Sequence, residues 1–141
     1  MYREHFQPSE VLPKPHLMVA VQVIAAETDA AARRLFTTPQ QRFLRLIRNQ
    51  PVELLPPVDS MAPLWQEHER AAVENKLRSA IIGSNATVKA GLEKLLSETG
   101  ADEVIIVTDT YEHADRLESY RRVAEVVARL EVRAKRVAVE A

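Results

Sequence analysis

The fold is decided by one stretch, GSNATVKAGLEKLLSETGADEVIIVTDTYEHADRLESY, which runs from Gly83 to Tyr120. It predicts a helix that Asn85 caps and Gly100 ends, because asparagine accepts a first-turn N–H bond and glycine adopts a left-handed helix end without steric cost. Val104–Val107 follows as a wholly apolar, β-branched run, typical of a parallel strand buried on both faces. The stretch therefore predicts the βα unit from which α/β proteins are built.

A second apolar run, Leu17–Ala26, predicts another strand that is buried on both faces, with Gln22 as its one polar residue. Thr28 then predicts the N-cap of a helix. The pair Thr38-Pro39 predicts the start of a second helix, because proline suits the first helical position. The segment 50–63 contains four prolines and predicts a loop rather than a helix or a central strand.

Four further segments complete the predicted elements. Leu64–Ser79 predicts a charged helix that is solvated or bridges subunits, Ser79–Ser84 a short extended piece, and Glu112–Leu130 a long helix. The tail Glu131–Ala141 alternates valine with charge, so it either extends that helix or forms an edge strand. Two buried strands leave two unsatisfied sheet edges, so we expect them to find partners outside this polypeptide.

The composition limits the classes of function. The chain has 141 residues, which fits one domain over 1–141, and a formal net charge of -1, which gives no reason to expect a nucleic-acid partner. No apolar run approaches the roughly 20 residues of a membrane span, and the N-terminus lacks the apolar core of a signal peptide. We therefore expect a soluble, cytoplasmic protein with no membrane partner.

Sequence motifs for metals and phosphates are lacking. The chain has no cysteine, and its four histidines are dispersed, so we expect no metal site. It has three glycines and contains neither the GxGxxG nor the GxxxxGK[ST] phosphate loop. A ligand would therefore have to be held at isolated strand or helix ends.

Two groups of residues are candidates for such a binding site. Gly83, Ser84 and Asn85 precede a helix start, where free N–H groups and the helix dipole can hold a phosphate. Thr108 and Asp109 follow the last strand at its carboxyl end, where α/β proteins bind ligands. Each group has a simpler interpretation, which we prefer: helix capping for the first and a plain strand-to-helix loop for the second.

A series of short motifs spans the chain up to about Glu125. In order they are Tyr2-Arg3, Phe6-Gln7-Pro8-Ser9, Ala25-Ala26-Glu27-Thr28-Asp29, Leu54-Leu55-Pro56-Pro57, Gly83-Ser84, Ala101-Asp102-Glu103, Glu112-His113-Ala114-Asp115-Arg116-Leu117 and Ser119-Tyr120. Their order and spacing resemble the C-terminal portion of bacterial-luciferase-like, flavin-dependent monooxygenases.

That resemblance implies a portion of a (β/α)8, or TIM, barrel. Leu17–Ala26 would be the seventh strand and Val104–Val107 the eighth, with the first six absent from this chain. The proline-rich loop and the charged helix after it would form an insertion that covers the active site as a mobile element. We expect an α/β partial barrel with two main parallel strands and about four to five helices, completed by oligomerisation.

The resemblance also implies a cofactor and partners. The family's enzymes bind reduced FMN from a flavin reductase and use oxygen to oxidise an organic substrate. FMN would then be the ligand at Gly83, Ser84, Asn85, Thr108 and Asp109. Catalytic residues are unknown here, because the family's lie mostly in the missing strands. We expect a homo-oligomer that is not catalytic without the N-terminal barrel part, or alternatively a non-catalytic oligomeric α/β module.

Overall fold

The computed structural model describes residues 2–140, with side chains as far as residue 130. Over these residues it contains three strands and four helices: β1 (Met18–Ala25), α1 (Asp29–Ile47), α2 (Glu67–Lys76), β2 (Ile81–Gly83), α3 (Asn85–Thr99), β3 (Glu103–Val107) and α4 (His113–Glu140). The strands form one parallel sheet in the order β2-β1-β3. The predicted α/β class and the pairing of the two strong strands are confirmed.

One face of the sheet is buried under α3 and α4. The first core cluster contains Val21, Val23 and Ala25 of β1, Val88 and Leu92 of α3, and Val123 and Val126 of α4. Alternate residues of β3 pack against the same cluster, as strand geometry requires. Val88 and Leu92 of α3 therefore face the sheet.

The opposite face of the sheet is open along β3 and the first part of β1, whereas Ile24, on the same side of β1, is fully buried. Met18, Ile105 and Val107 are 50%, 44% and 42% exposed, and Ala20 is exposed between them. We call these four residues the open face. The prediction that both strands are buried on both faces is therefore wrong for these residues, because α3 and α4 both lie on the other side of the sheet.

Helix α1 is continuous through Pro39, so the predicted break at Thr38-Pro39 is wrong. Proline cannot donate to the carbonyl four residues earlier, and its ring crowds that carbonyl. Tertiary contacts offset this cost: Pro39 is fully buried, and the Thr38 hydroxyl donates to the carbonyl of Leu55 at 2.8 Å. The local signal at Thr38-Pro39 therefore predicted a helix start where the tertiary contacts keep a single helix.

The proline-rich segment is a loop, as predicted, and it is tied to one side of α1. Four side chains of that helix donate to carbonyls of the loop: Thr37 to Val58, Thr38 to Leu55, Gln41 to Pro56 and Arg45 to Pro51. Because these donors follow the helical repeat, the loop runs along the helix. In this structure the loop is therefore held against α1, and its role as a mobile cover stays a prediction.

A second core cluster lies between α1, this loop and α2. It contains Leu44, Met61, Val73 and Leu77, with Trp65 packed against it. Trp65 therefore has a core role. Helix α2 is exposed along most of its length, as expected of a solvated helix, but it packs against this cluster through Val73. The charged helix is also shorter than the predicted Leu64–Ser79.

Two smaller expectations are settled by the backbone. The short extended piece predicted at Ser79–Ser84 forms β2, which pairs with the carboxyl-terminal part of β1. Of the two alternatives for the tail, the helix is the one observed, since α4 continues to Glu140. Ala141 and the side chains of the basic tail lie outside the described residues.

Candidate functional site

The carboxyl ends of the three parallel strands lie at one edge of the sheet. β1 separates Gly83 and Ser84, at the end of β2, from Thr108 and Asp109, which follow β3. The structure thus brings both predicted groups to this edge. They engage different helices there, as the contacts of each group show.

Thr108 is buried and already bonded. Its hydroxyl donates to the carbonyl of Val23 at 2.7 Å, which ties the end of β3 to β1. Thr110 is buried as well and donates to the carbonyl of Glu112 at 3.2 Å. Both threonines therefore shape the strand-to-helix loop, which agrees with the simpler interpretation of this segment.

Asp109 is the member of this group that stays within reach of solvent. Its Oδ2 atom lies 3.0 Å from Nη1 of Arg42, and the two side chains are 27% and 42% exposed. Arg42 belongs to α1, and no signal in the sequence pairs it with Asp109, 67 residues later. The pair places opposite charges, with hydrogen-bonding capacity to spare, beside the carboxyl end of β3.

Gln22 adds a polar group near this pair. It lies opposite Val107 in the register of β1 and β3, on the strand side that carries the open face. Its Nε2 atom is buried and has no hydrogen-bond partner among the described residues. Because buried donors are nearly always paired, this amide calls for an acceptor from outside the described residues.

The start of α3 differs from the prediction at Asn85. Ser84 is the N-cap and Asn85 the first helical residue, and the Ser84 side chain makes no capping bond. Asn85 instead contacts α4: its Nδ2 donates to Glu125 at 3.4 Å, and Arg122 donates to its Oδ1 at 3.5 Å.

The cap of α3 comes from another helix. Oδ1 of Asp29, in the first turn of α1, accepts from the Ser84 backbone N–H at 2.7 Å and from the Thr87 hydroxyl at 2.8 Å. These bonds, the backbone bond from Ser84 foremost, hold the pKa of Asp29 below its usual value. Sequence reasoning missed this role because the two donors lie 55 and 58 residues after Asp29 in the chain.

Gly83 fits against the same carboxylate. A Cβ atom at this position would lie 2.5 Å from Cβ of Thr87 and 2.7 Å from Oδ1 of Asp29. A flavin phosphate at the Ser84 N–H would have to displace the Asp29 carboxylate, which already accepts from this donor at 2.7 Å. The residues at the start of α3 therefore do not fit the phosphate of FMN.

A second charged group, Arg48 with Glu69, joins α1 to α2. Arg48 donates twice to the carboxylate, at 2.7 and 2.8 Å, and the Gln66 backbone N–H donates to it at 2.8 Å. The bonds from Arg48, followed by that from Gln66, lower the pKa of Glu69 from 4.5 to about 2. All three groups serve the packing of the two helices.

We expect this pair to make stability depend on acid. Because the pKa of Glu69 is lower in the folded state, its contribution is fully present above about pH 4.5 and is lost as the pH falls toward 2. In urea titrations between pH 6 and pH 2, Glu69→Gln should flatten the decline of the unfolding free energy. Glu74→Gln, on the exposed side of α2, is the matched control; an equal effect of both variants would contradict the prediction.

Among residues 2–130, whose side chains are described, no three His, Asp or Glu side chains are grouped to hold a metal ion. None of the described helices combines the length and the apolar character that crossing a membrane requires.

Comparison with known proteins identifies relatives for 89% of the chain. It is 44% identical over 126 residues to the uncharacterized protein YvbT of Bacillus subtilis, and 36% identical over 126 residues to a luciferase-like monooxygenase of Escherichia coli. The chain spans 38% of the length of each of these curated relatives. No protein-family model matches it.

The solved structures give the same result for the fold. The crystal structure of apo-MsnO8 matches 90% of the chain with a TM-score of 0.68 and 30% sequence identity, and the match covers 39% of that protein. The partial barrel predicted from the sequence thus corresponds to part of a larger known fold. The chain is therefore related to the luciferase-like monooxygenases, and it resembles the C-terminal portion of such a protein, as its motifs predicted.

Proposed function

We propose that the chain acts as the C-terminal portion of a luciferase-like, flavin-dependent monooxygenase and needs the remaining barrel strands for activity. The observation that carries this proposal is the sheet with one buried and one open face. In a closed barrel, one face of every strand packs on helices and the other lines the interior. Met18, Ala20, Ile105 and Val107 have the composition of such an interior.

The sheet edges support the same proposal. No described strand pairs with the outer edge of β3, and β2 covers the other side of β1 only from Val23 to Ala25. Unpaired edges of parallel strands are costly, and neighbouring strands of a barrel would remove both. The unpaired side-chain amide of Gln22, on the side of β1 that carries the open face, would gain its acceptor from a group in the barrel interior.

FMN is the cofactor that the family resemblance suggests, and reduced flavin would supply the reaction with oxygen. Of the five predicted contacts, Asp109 is the one we retain, together with Arg42. Their carboxylate and guanidinium can hydrogen-bond the polar atoms of a flavin ring at the carboxyl edge of the sheet. The other four predicted contacts instead make internal contacts that hold the ends of the strands and the start of α3 in place: Thr108, Gly83, Ser84 and Asn85.

A second candidate is an oligomeric α/β module without catalysis of its own. The use of Thr108 and the α3 start in internal bonds favours it, since fewer groups remain for a ligand. In this case, copies of the chain would cover one another's open faces. A flavin reductase would be a partner only under the first proposal, and cytoplasmic location fits both.

A chimera separates the two candidates. The matched 126 residues of the E. coli monooxygenase are replaced by the corresponding residues of this chain, and FMN binding is followed by fluorescence quenching. We expect the chimera to bind FMN within about tenfold of the E. coli protein, and the isolated chain to show no saturable quenching at micromolar FMN. FMNH2-dependent oxygen consumption with a reductase should follow the same pattern.

Variants of α1 test the flavin contact within the chimera. Arg42→Ala should weaken FMN binding by about tenfold, as expected for the loss of one charged hydrogen bond. Arg34→Ala is the control. Arg34 lies on the same helix as Arg42, but it pairs with the exposed Asp59 of the proline-rich loop at 2.8 Å. Micromolar FMN binding by the isolated chain, or a chimera that folds but binds no FMN, would contradict the first proposal.

A further inference from the structure

A single carboxylate serves the N-termini of two helices. Asp29 lies in the first turn of α1, whose own N-cap is Thr28, and its Oδ1 atom reaches Ser84 at the N-cap of α3. Asp29 and Ser84 are 55 residues apart in sequence. The carboxylate therefore joins α1 to the unit of β2 and α3.

Electrostatics explains why an anion belongs there. Each helix carries about half a positive charge at its N-terminus, from N–H groups that no turn satisfies. Two such ends brought together repel each other unless a negative group lies between them. The carboxylate of Asp29 supplies this charge and accepts two hydrogen bonds, while Arg33 on the same helix favours the charged form.

The donors that hold Asp29 are those that a phosphate would use. A bound phosphate at a helix start takes backbone N–H groups and a nearby hydroxyl, which are here Ser84 and Thr87. The carboxylate also packs closely on Gly83, where a Cβ atom would lie 2.7 Å from its Oδ1 atom. The site is thus complete without any added ligand.

We propose that Asp29 is the resident anion of the α3 N-terminus, takes the place of a bound phosphate there, and forces any flavin phosphate to bind elsewhere. This inference concerns the chain's own fold and does not depend on flavin binding. Its test can therefore fail or succeed separately from the proposed function.

The test uses inorganic phosphate as the probe and urea unfolding as the readout. Asp29→Ala should destabilise the chain, and phosphate should restore stability relative to chloride of equal ionic strength. When the phosphate concentration is about ten times the dissociation constant for phosphate, linkage predicts that the folding equilibrium constant of this variant rises roughly elevenfold. The unchanged protein should show no such rise, because its site is occupied.

Two other variants complete the design. Asp29→Asn keeps an acceptor but loses the charge, so it should be less destabilised than Asp29→Ala and respond less to phosphate. Glu27→Ala removes an exposed carboxylate two residues away and should leave both stability and phosphate response unchanged. Phosphate stabilisation of the unchanged protein, or Asp29→Ala without phosphate response, would overturn the proposal. If Asp29→Ala does not fold in chloride, the comparison rests on Asp29→Asn and on the unchanged protein.

Discussion

Gly83→Ala is expected to destabilise the chain by about 3 kcal/mol, the upper end of the usual cost of overpacking. The added methyl group would lie 2.5 Å from Cβ of Thr87 and 2.7 Å from Oδ1 of Asp29. A Cβ atom cannot move without its backbone, so relief of the clash requires α3 to shift from β2. The shift would also break the bonds of Asp29 to α3. Urea unfolding followed by circular dichroism measures the loss.

The other two glycines of the chain are the controls. Alanine at Gly91 would meet Ile81 alone, whose Cγ2, Cγ1 and Cδ1 atoms lie at 2.6, 3.2 and 3.3 Å; Cγ2 can move only by rotation about the stiff χ1 angle of this β-branched residue. Better helix propensity offsets part of the clash, so we expect a loss of about 1–2 kcal/mol, smaller than at Gly83. Gly100 has open space but a φ of 60°, and alanine there should cost about 1–2 kcal/mol. Equal losses at Gly83 and Gly91 would contradict the argument.

The sequence predicted those elements whose local signals agree with their packing. The runs Leu17–Ala26 and Val104–Val107 are apolar and β-branched enough to specify strands, and Gly100 does end its helix in a left-handed conformation. These features depend on periodicity and on one residue's backbone freedom. Both can be recognised without knowledge of contacts between distant residues.

The errors occurred where a distant residue decides the local structure. Pro39 continues a helix because Thr38 bonds a loop carbonyl 17 residues away. The N–H and hydroxyl donors at the start of α3 are not free for a phosphate, because the Asp29 carboxylate accepts hydrogen bonds from Ser84 and Thr87. Neither contact leaves a trace in sequence spacing, since the partners are joined only by the tertiary fold.

The candidate site was half predictable for the same reason. Strand logic directed attention to the residues after β3, where the Asp109 side chain is 27% exposed. The partner, Arg42, lies 67 residues earlier, on a helix whose orientation only the fold determines. The exposure of Ile105 and Val107 also escaped prediction, because an apolar strand does not reveal how many of its faces this chain can cover.

This open face carries the second large expected effect. For the isolated chain we expect self-association at micromolar concentration, and we expect the double variant Ile105→Lys, Val107→Lys to abolish it. Burying one Ile or Val side chain is worth about 1.5–3 kcal/mol, so loss of two should weaken association by at least roughly 100-fold. Sedimentation velocity over a concentration series measures this change.

The variant should remain folded, because both side chains are already half exposed in the single chain and lysine can extend into water from a sheet face. Its far-ultraviolet circular dichroism should therefore match that of the unchanged protein. Val11→Lys is the control, since Val11 is 94% exposed and lies outside the sheet. A well-folded monomer of the unchanged chain at micromolar concentration would contradict coverage by a second copy. In that case we expect Ile105 and Val107 to be covered in the barrel chimera instead. The same two lysine substitutions should then abolish the folding of the chimera.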